Sequence, residues 1–83
     1  MLIGKVTATV VSTRKLDCLV GSKFLEVKLM ESGKITDKTI LAIDGGVGAG
    51  IGETVLITTG SSARICLTNP STPVDAVIVG IVD

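Results

Sequence analysis

The chain has 83 residues, 46% of them hydrophobic and 1% aromatic, and its eight basic side chains are balanced by eight acidic ones. Zero net charge gives no field to gather nucleic acid or an anionic membrane, and the complete lack of histidine removes the commonest general base. A single domain of this size buries only about two-thirds of the surface its unfolded chain exposes, so a sequence this apolar implies a partner, most simply further copies of itself.

Met1 to Val6 enters a strand pattern at once, without the basic-then-apolar layout of a signal peptide. From Leu2 to Thr13 the apolar Leu2, Val6, Ala8 and Val10 alternate with Lys5, Thr7, Thr9 and Thr13, which predicts a half-buried strand with Gly4 permitting a bend. A polar loop ends near Gly21. Phe24 to Glu31 alternates again, with Leu25, Val27 and Leu29 on one face and Glu26 and Lys28 on the other; Ser32-Gly33 then signals a hairpin turn. Lys38 to Asp44 is the third expected strand, and its run Ile40-Leu41-Ala42-Ile43 is apolar on both faces.

Asp44 to Gly52 holds half of the chain's glycines. Repeated glycine between two apolar strands implies a tight loop or a close approach of another backbone, because glycine reaches positive φ without a Cβ clash. Phosphate-loop patterns do not fit: Gly46 and Gly48 are followed by Ile51, and Gly48 and Gly50 by Glu53, where a third glycine would stand.

Glu53 to Thr59 is the fourth strand. Gly60-Ser61-Ser62-Ala63-Arg64 has the makings of one helical turn, with a serine hydroxyl accepting from its free N–H groups. Thr68 to Pro73 forbids regular structure, and Val74 to Val82 is the last strand. In strict alternation Val77, Val79 and Ile81 face one way and Val74, Ala76, Ile78 and Val82 the other, so one face meets the domain core and the other is left for a neighbouring subunit. Five short strands and one small helical element predict a mainly all-β fold, a partly open barrel of the oligonucleotide/oligosaccharide-binding type, as a single domain over residues 1–83.

Candidate chemistry is sparse. Cys18 and Cys66 make no metal-binding or redox pair and read as small, semi-buried thiols of a reducing cytoplasm. Ser61 and Ser62 have no base nearby in sequence, so a cap or turn role is preferred to nucleophilic catalysis. Asp44, Glu53 and Asp75 stand at strand ends, where a carboxylate is usually solvated or bonded to backbone. Glu53 is placed to accept from loop N–H groups of its own or an adjacent subunit; Arg64 is either an exposed charge or a partner for a neighbour's carboxylate. No enzyme activity, cofactor or metal is expected. The longest apolar run, Ala76 to Val82, is too short to span a bilayer.

Gly48-Ala49-Gly50-Ile51-Gly52-Glu53, followed by Val55-Leu56 and Gly60-Ser61-Ser62-Ala63-Arg64, resembles the vertex proteins of bacterial microcompartment shells, the EutN/CcmL/PduN family. Val10-Val11-Ser12-Thr13 with Lys15, Gly21-x-Lys23-Phe24-Leu25, Ala42-Ile43-Asp44, Thr72-Pro73-Val74-Asp75 and Ile78 to Asp83 extend the resemblance nearly end to end, in the correct order. Two departures stand out: one residue more than expected between Asp44 and Val47, and a short segment from Ser32 to Lys38. The resemblance implies a small barrel, a cyclic homopentamer in preference to a hexamer, and a place in the microcompartment shell of the bacterial cytoplasm beside hexameric shell proteins. It also implies that Gly48, Ala49, Gly50, Gly52 and Glu53 lie at or beside a central axis. Ser61, Ser62 and Arg64, with Ile78 and Val79 of the last strand, complete the expected subunit interface. The competing reading, a small-ligand or single-stranded nucleic-acid binding barrel, needs aromatic platforms and basic charge; Phe24 is the chain's only aromatic residue.

Overall fold

The computed structural model describes residues 1–11, 15–60, 63 and 74–83, without the side chain of Cys18. Its strands are β1 (Leu2–Val10), β2 (Phe24–Glu31), β3 (Lys34–Asp44), β4 (Thr54–Thr59) and β5 (Ala76–Val82), with one short 3-10 turn at Asp17–Leu19 inside the loop before β2. They form a closed barrel in the order β1-β2-β3-β5-β4, the last strand pairing back onto the first. All neighbours are antiparallel except β3 and β5, which meet through only two parallel register pairs, Ile43 with Val77 and Asp44 with Ile78. Gly45 lengthens that seam by donating its N–H to the Ile78 carbonyl at 3.0 Å. A Cβ at Gly45 would lie 2.7 Å from the same carbonyl oxygen, so the closing contact requires glycine. The five-stranded barrel follows the sequence expectation, and its weakest edge is this short seam.

The β2–β3 hairpin turns on Ser32 (φ 51°) and Gly33 (φ 78°), two successive left-handed residues that suit the twist of the flanking strands. β3 starts at Lys34, four residues before the expected Lys38. Between the pairs Lys28–Thr39 and Met30–Ile35 the ladder is irregular. There the Thr36 hydroxyl donates to the Leu29 carbonyl at 2.9 Å and accepts from the Lys38 N–H at 3.2 Å, replacing ladder bonds with a side chain.

The barrel is filled by Val6, Leu25, Val27, Ala42, Ala49, Val55, Ile57, Ala76 and Ile78, with Leu29, Ile40 and Ile81 packed against them. On β1, Gly4 and Val6 face inward, while Leu2, expected on the same covered face, is exposed. Thr7 is an extra residue between the pairs Val6–Val27 and Ala8–Glu26, and its hydroxyl donates to the Glu26 carbonyl. The bulge shifts the register, so that Ala8 stands opposite Glu26 and Thr9 opposite Leu25, while Thr9 stays exposed and Ala8 and Val10 half-buried as the alternation predicts. Gly4 does more than permit a bend, since a Cβ there would lie 2.5 Å from Val27 Cγ1.

β5 carries a second bulge, and it corrects the reading of that strand. Leu56 pairs with Gly80 and Ile57 with Ile78, leaving Val79 as the extra residue. Ile78 and Ile81 therefore both serve the barrel core, although strict alternation put them on opposite faces. The other face is partly covered by the chain itself. Val77 is fully buried in a second small cluster with Ile43 and Ala63, against which Phe24, Val74 and Val79 pack. Ile78, expected at a subunit interface, has 0% of its surface exposed. Its side chain has nothing left to offer a neighbour.

Candidate functional site

The segment between β3 and β4, residues 45–53, forms a loop at one end of the barrel. Its positive-φ residues are Gly46 (107°), Gly48 (76°) and Gly52 (89°). Such a run has few side chains with which to hold itself, and each glycine loses more backbone freedom on ordering than any other residue. The flanking strands supply the missing anchors.

At the entry, Asp44 accepts from the Val47 N–H through Oδ1 at 3.2 Å and from the Gly48 N–H through Oδ2 at 3.0 Å. Short acidic side chains suit this work because they reach their own backbone a few residues on. At the exit, Glu53 accepts from the Gly50 N–H through Oε1 at 2.7 Å, while its own N–H donates to the Gly50 carbonyl at 3.2 Å. Of the two roles left open for Glu53, its bond to its own loop is present within the single chain. The loop is tied to β1 as well: Gly52 donates to the Val6 carbonyl at 2.9 Å and Val6 donates to the Glu53 carbonyl at 3.0 Å. Between these anchors Ala49 turns its methyl group inward and is fully buried in the barrel core. The whole residue, backbone included, has 0% exposure, so the surface presented at this point of the loop is that of Gly48 rather than Ala49.

Sequence reasoning passed over one anchor. Lys23, just before β2, donates from Nζ to the Ala49 carbonyl. Its signal was present as the Gly21-x-Lys23-Phe24 motif, but nothing in the spacing connects residue 23 with residue 49.

Gly48 and Gly50, grouped together by sequence, differ in cause. Gly48 needs its positive φ, with nothing within 4 Å of an added Cβ; Gly50 has ordinary φ, and an added Cβ would sit 3.4 Å from Glu53 Oε1. Gly48→Ala is expected to lose about 1–2 kcal/mol through backbone strain alone. Gly50→Ala should lose less, since only a surface carboxylate must shift. Urea denaturation checks this: a midpoint for Gly48→Ala no lower than that for Gly50→Ala would contradict the assignment.

The outward surface beside the loop is apolar. Val47 and Ile51 are exposed at 37% and 65%, and Ile3 and Leu56, paired across β1 and β4, are also exposed. Val82 continues this surface on β5, and Val79 is half-buried. Ser61, Ser62, Arg64 and Cys66 lie outside the described residues, so their expected roles as cap, interface or thiol are not placed. Among the described residues no group of three or more Cys, Asp or Glu is arranged to hold a metal ion, and no helix is long and apolar enough to cross a membrane.

Comparison with known proteins gives matches along the whole chain. The family described as ethanolamine utilisation protein EutN/carboxysome matches residues 1–83. The carboxysome shell vertex protein CcmL of Nostoc sp. is 49% identical, with 100% of this chain and 83% of that protein covered. The microcompartment shell vertex protein PduN of Salmonella typhimurium is 42% identical, with 100% and 96% covered. Among solved structures, CcmL of Gloeobacter violaceus superposes with a TM-score of 0.94 at 45% identity, covering 100% of this chain and 86% of that one. GrpN of Rhodospirillum rubrum, described as a pentameric microcompartment shell protein, superposes with a TM-score of 0.89 at 43% identity, covering 100% and 94%.

Proposed function

The chain belongs to the EutN/CcmL family, and from that premise we propose that it forms a cyclic homopentamer that caps the five-fold vertices of a bacterial microcompartment shell. The observation that carries this reading is the full-length similarity, in sequence and in fold, to several proteins named as shell vertex proteins. In this role the chain closes a polyhedron of hexameric shell proteins around encapsulated enzymes in the bacterial cytoplasm. Its contribution is geometric, and it catalyses nothing itself.

The physical features agree. An 83-residue barrel that leaves Ile3, Val47, Ile51, Leu56 and Val82 exposed carries apolar surface that association would remove from water, worth about 25 cal/mol per Å² before the costs of ordering. Cyclic closure is the usual way for one self-complementary chain to bury such surface without growing into a filament. Nucleic-acid binding has little support: one aromatic residue and balanced charge leave neither stacking platforms nor an electrostatic groove.

Native mass spectrometry of the purified chain tests the proposal. The expected result is one dominant species of five protomers at micromolar concentration. A monomer there, with light scattering in agreement, would overturn it.

A further inference from the structure

The glycine loop is gripped on both limbs from a single rung of the sheet. Asp44 donates its backbone N–H to the Lys23 carbonyl at 2.9 Å, which adds one step to the β2–β3 ladder beyond the pair Phe24–Ile43. The side chains of that rung then diverge. The Asp44 carboxylate takes the N–H groups of Val47 and Gly48 on the entering limb. The Lys23 ammonium crosses the loop to the Ala49 carbonyl. One residue on, Glu53 takes the Gly50 N–H. Three consecutive residues, 48 to 50, are each tied to a different charged side chain.

We propose that Lys23 is a positioning residue for assembly, holding the Gly48-Ala49-Gly50 backbone in the one shape that a neighbouring copy of this chain can accept. The inference rests on the ring reading above. Its physical basis is the asymmetry between the two sides of the loop. Inward, the Ala49 methyl is already fixed by core packing. Outward, Gly48 has open space around it and lies between exposed Val47 and Ile51, so the backbone itself is the surface presented there. A partner that reads backbone shape needs that shape fixed beforehand, because ordering several glycines at the moment of contact would subtract directly from the association energy. A charge-assisted bond from a strand-anchored lysine provides the fixing, and it does so where the loop has no side chain of its own. Lys23 is exposed, so the apolar core does not rest on burial of its side chain.

The test compares wild type, Lys23→Met and Lys23→Arg over a range of protomer concentrations by native mass spectrometry, with circular dichroism for the barrel and hydrogen exchange for the Gly48 and Gly50 amides. Lys23→Met should keep the β-barrel spectrum but need roughly tenfold more protein to half-assemble, and its two loop amides should exchange roughly tenfold faster. Lys23→Arg, which restores a cationic donor, should recover both. Assembly and exchange unchanged in Lys23→Met would overturn the inference. So would loss of the barrel spectrum in that variant, which would make Lys23 a residue of the fold, and so would failure of Lys23→Arg to rescue. A wild-type chain that is monomeric throughout defeats the ring reading instead, and unaltered loop exchange in Lys23→Met would then separately defeat the clamp.

Discussion

Replacing Ile78 by aspartate should unfold the protomer, whereas the same change at Val79 should leave the barrel intact and weaken the ring. The two residues are adjacent in an apolar strand, and alternation alone assigns neither of them to the core. Ile78 has 0% exposure, packs in the barrel centre, pairs with Ile57 and gives its carbonyl to Gly45 at the β3–β5 seam. An aspartate there would lose about 2–3 kcal/mol of apolar burial and would carry an unpaired charge or a raised-energy neutral carboxyl, costing several kcal/mol more. A domain of this size has roughly 5–12 kcal/mol of stability in total, so most of its margin disappears. Val79 is the bulge residue, half-buried against the outer cluster of Ile43, Ala63 and Val77, and a carboxylate there can reach water. Circular dichroism and native mass spectrometry of the two variants separate the effects. A folded, ring-forming Ile78→Asp would refute the placement of this side chain, and a Val79→Asp that assembles as wild type would remove Val79 from the interface.

The same pair shows what the sequence could and could not convey. Barrel class, strand number and the inward positions of β2 were legible, because Leu25 and Val27 alternate cleanly with Glu26 and Lys28 ahead of the irregularity at Leu29. β5 misled beyond Val79. A single extra residue reverses the later side chains, and a valine in a wholly apolar strand does not announce it. The glycine loop was legible as a special backbone, and Glu53 as a carboxylate within reach of it. The separate reasons for Gly48 and Gly50 needed φ values. The Lys23 anchor needed the fold, since 26 residues separate it from the carbonyl it holds. The sequence shows one residue more than expected between Asp44 and Val47 without saying which, and in the barrel Gly45, one of the two, bonds to Ile78 across the closing seam.

Loss of the chain from cells should leave shells that cannot close. In the proposed role, flat hexagonal tiles form sheets or tubes without limit and positive curvature at a corner requires five-fold units, so removing the pentamer would take away the element that turns the surface through a vertex. Elongated or leaky compartments are expected, with the encapsulated enzymes retaining their intrinsic activity once extracted, because the defect lies in geometry and not in catalysis. The corner itself should admit no protein. On the proposed axial placement, with Ala49 anchored inward and Gly48 and Gly50 held by Asp44 and Glu53, the loop backbones of neighbouring copies would converge and leave at most an opening for small metabolites. Electron microscopy of a deletion strain decides the matter. Closed compartments of normal shape, in cells with no second vertex protein to substitute, would show that something other than this chain turns the corner; rescue by wild type but not by a Val79→Asp ring mutant would tie closure to the pentamer itself.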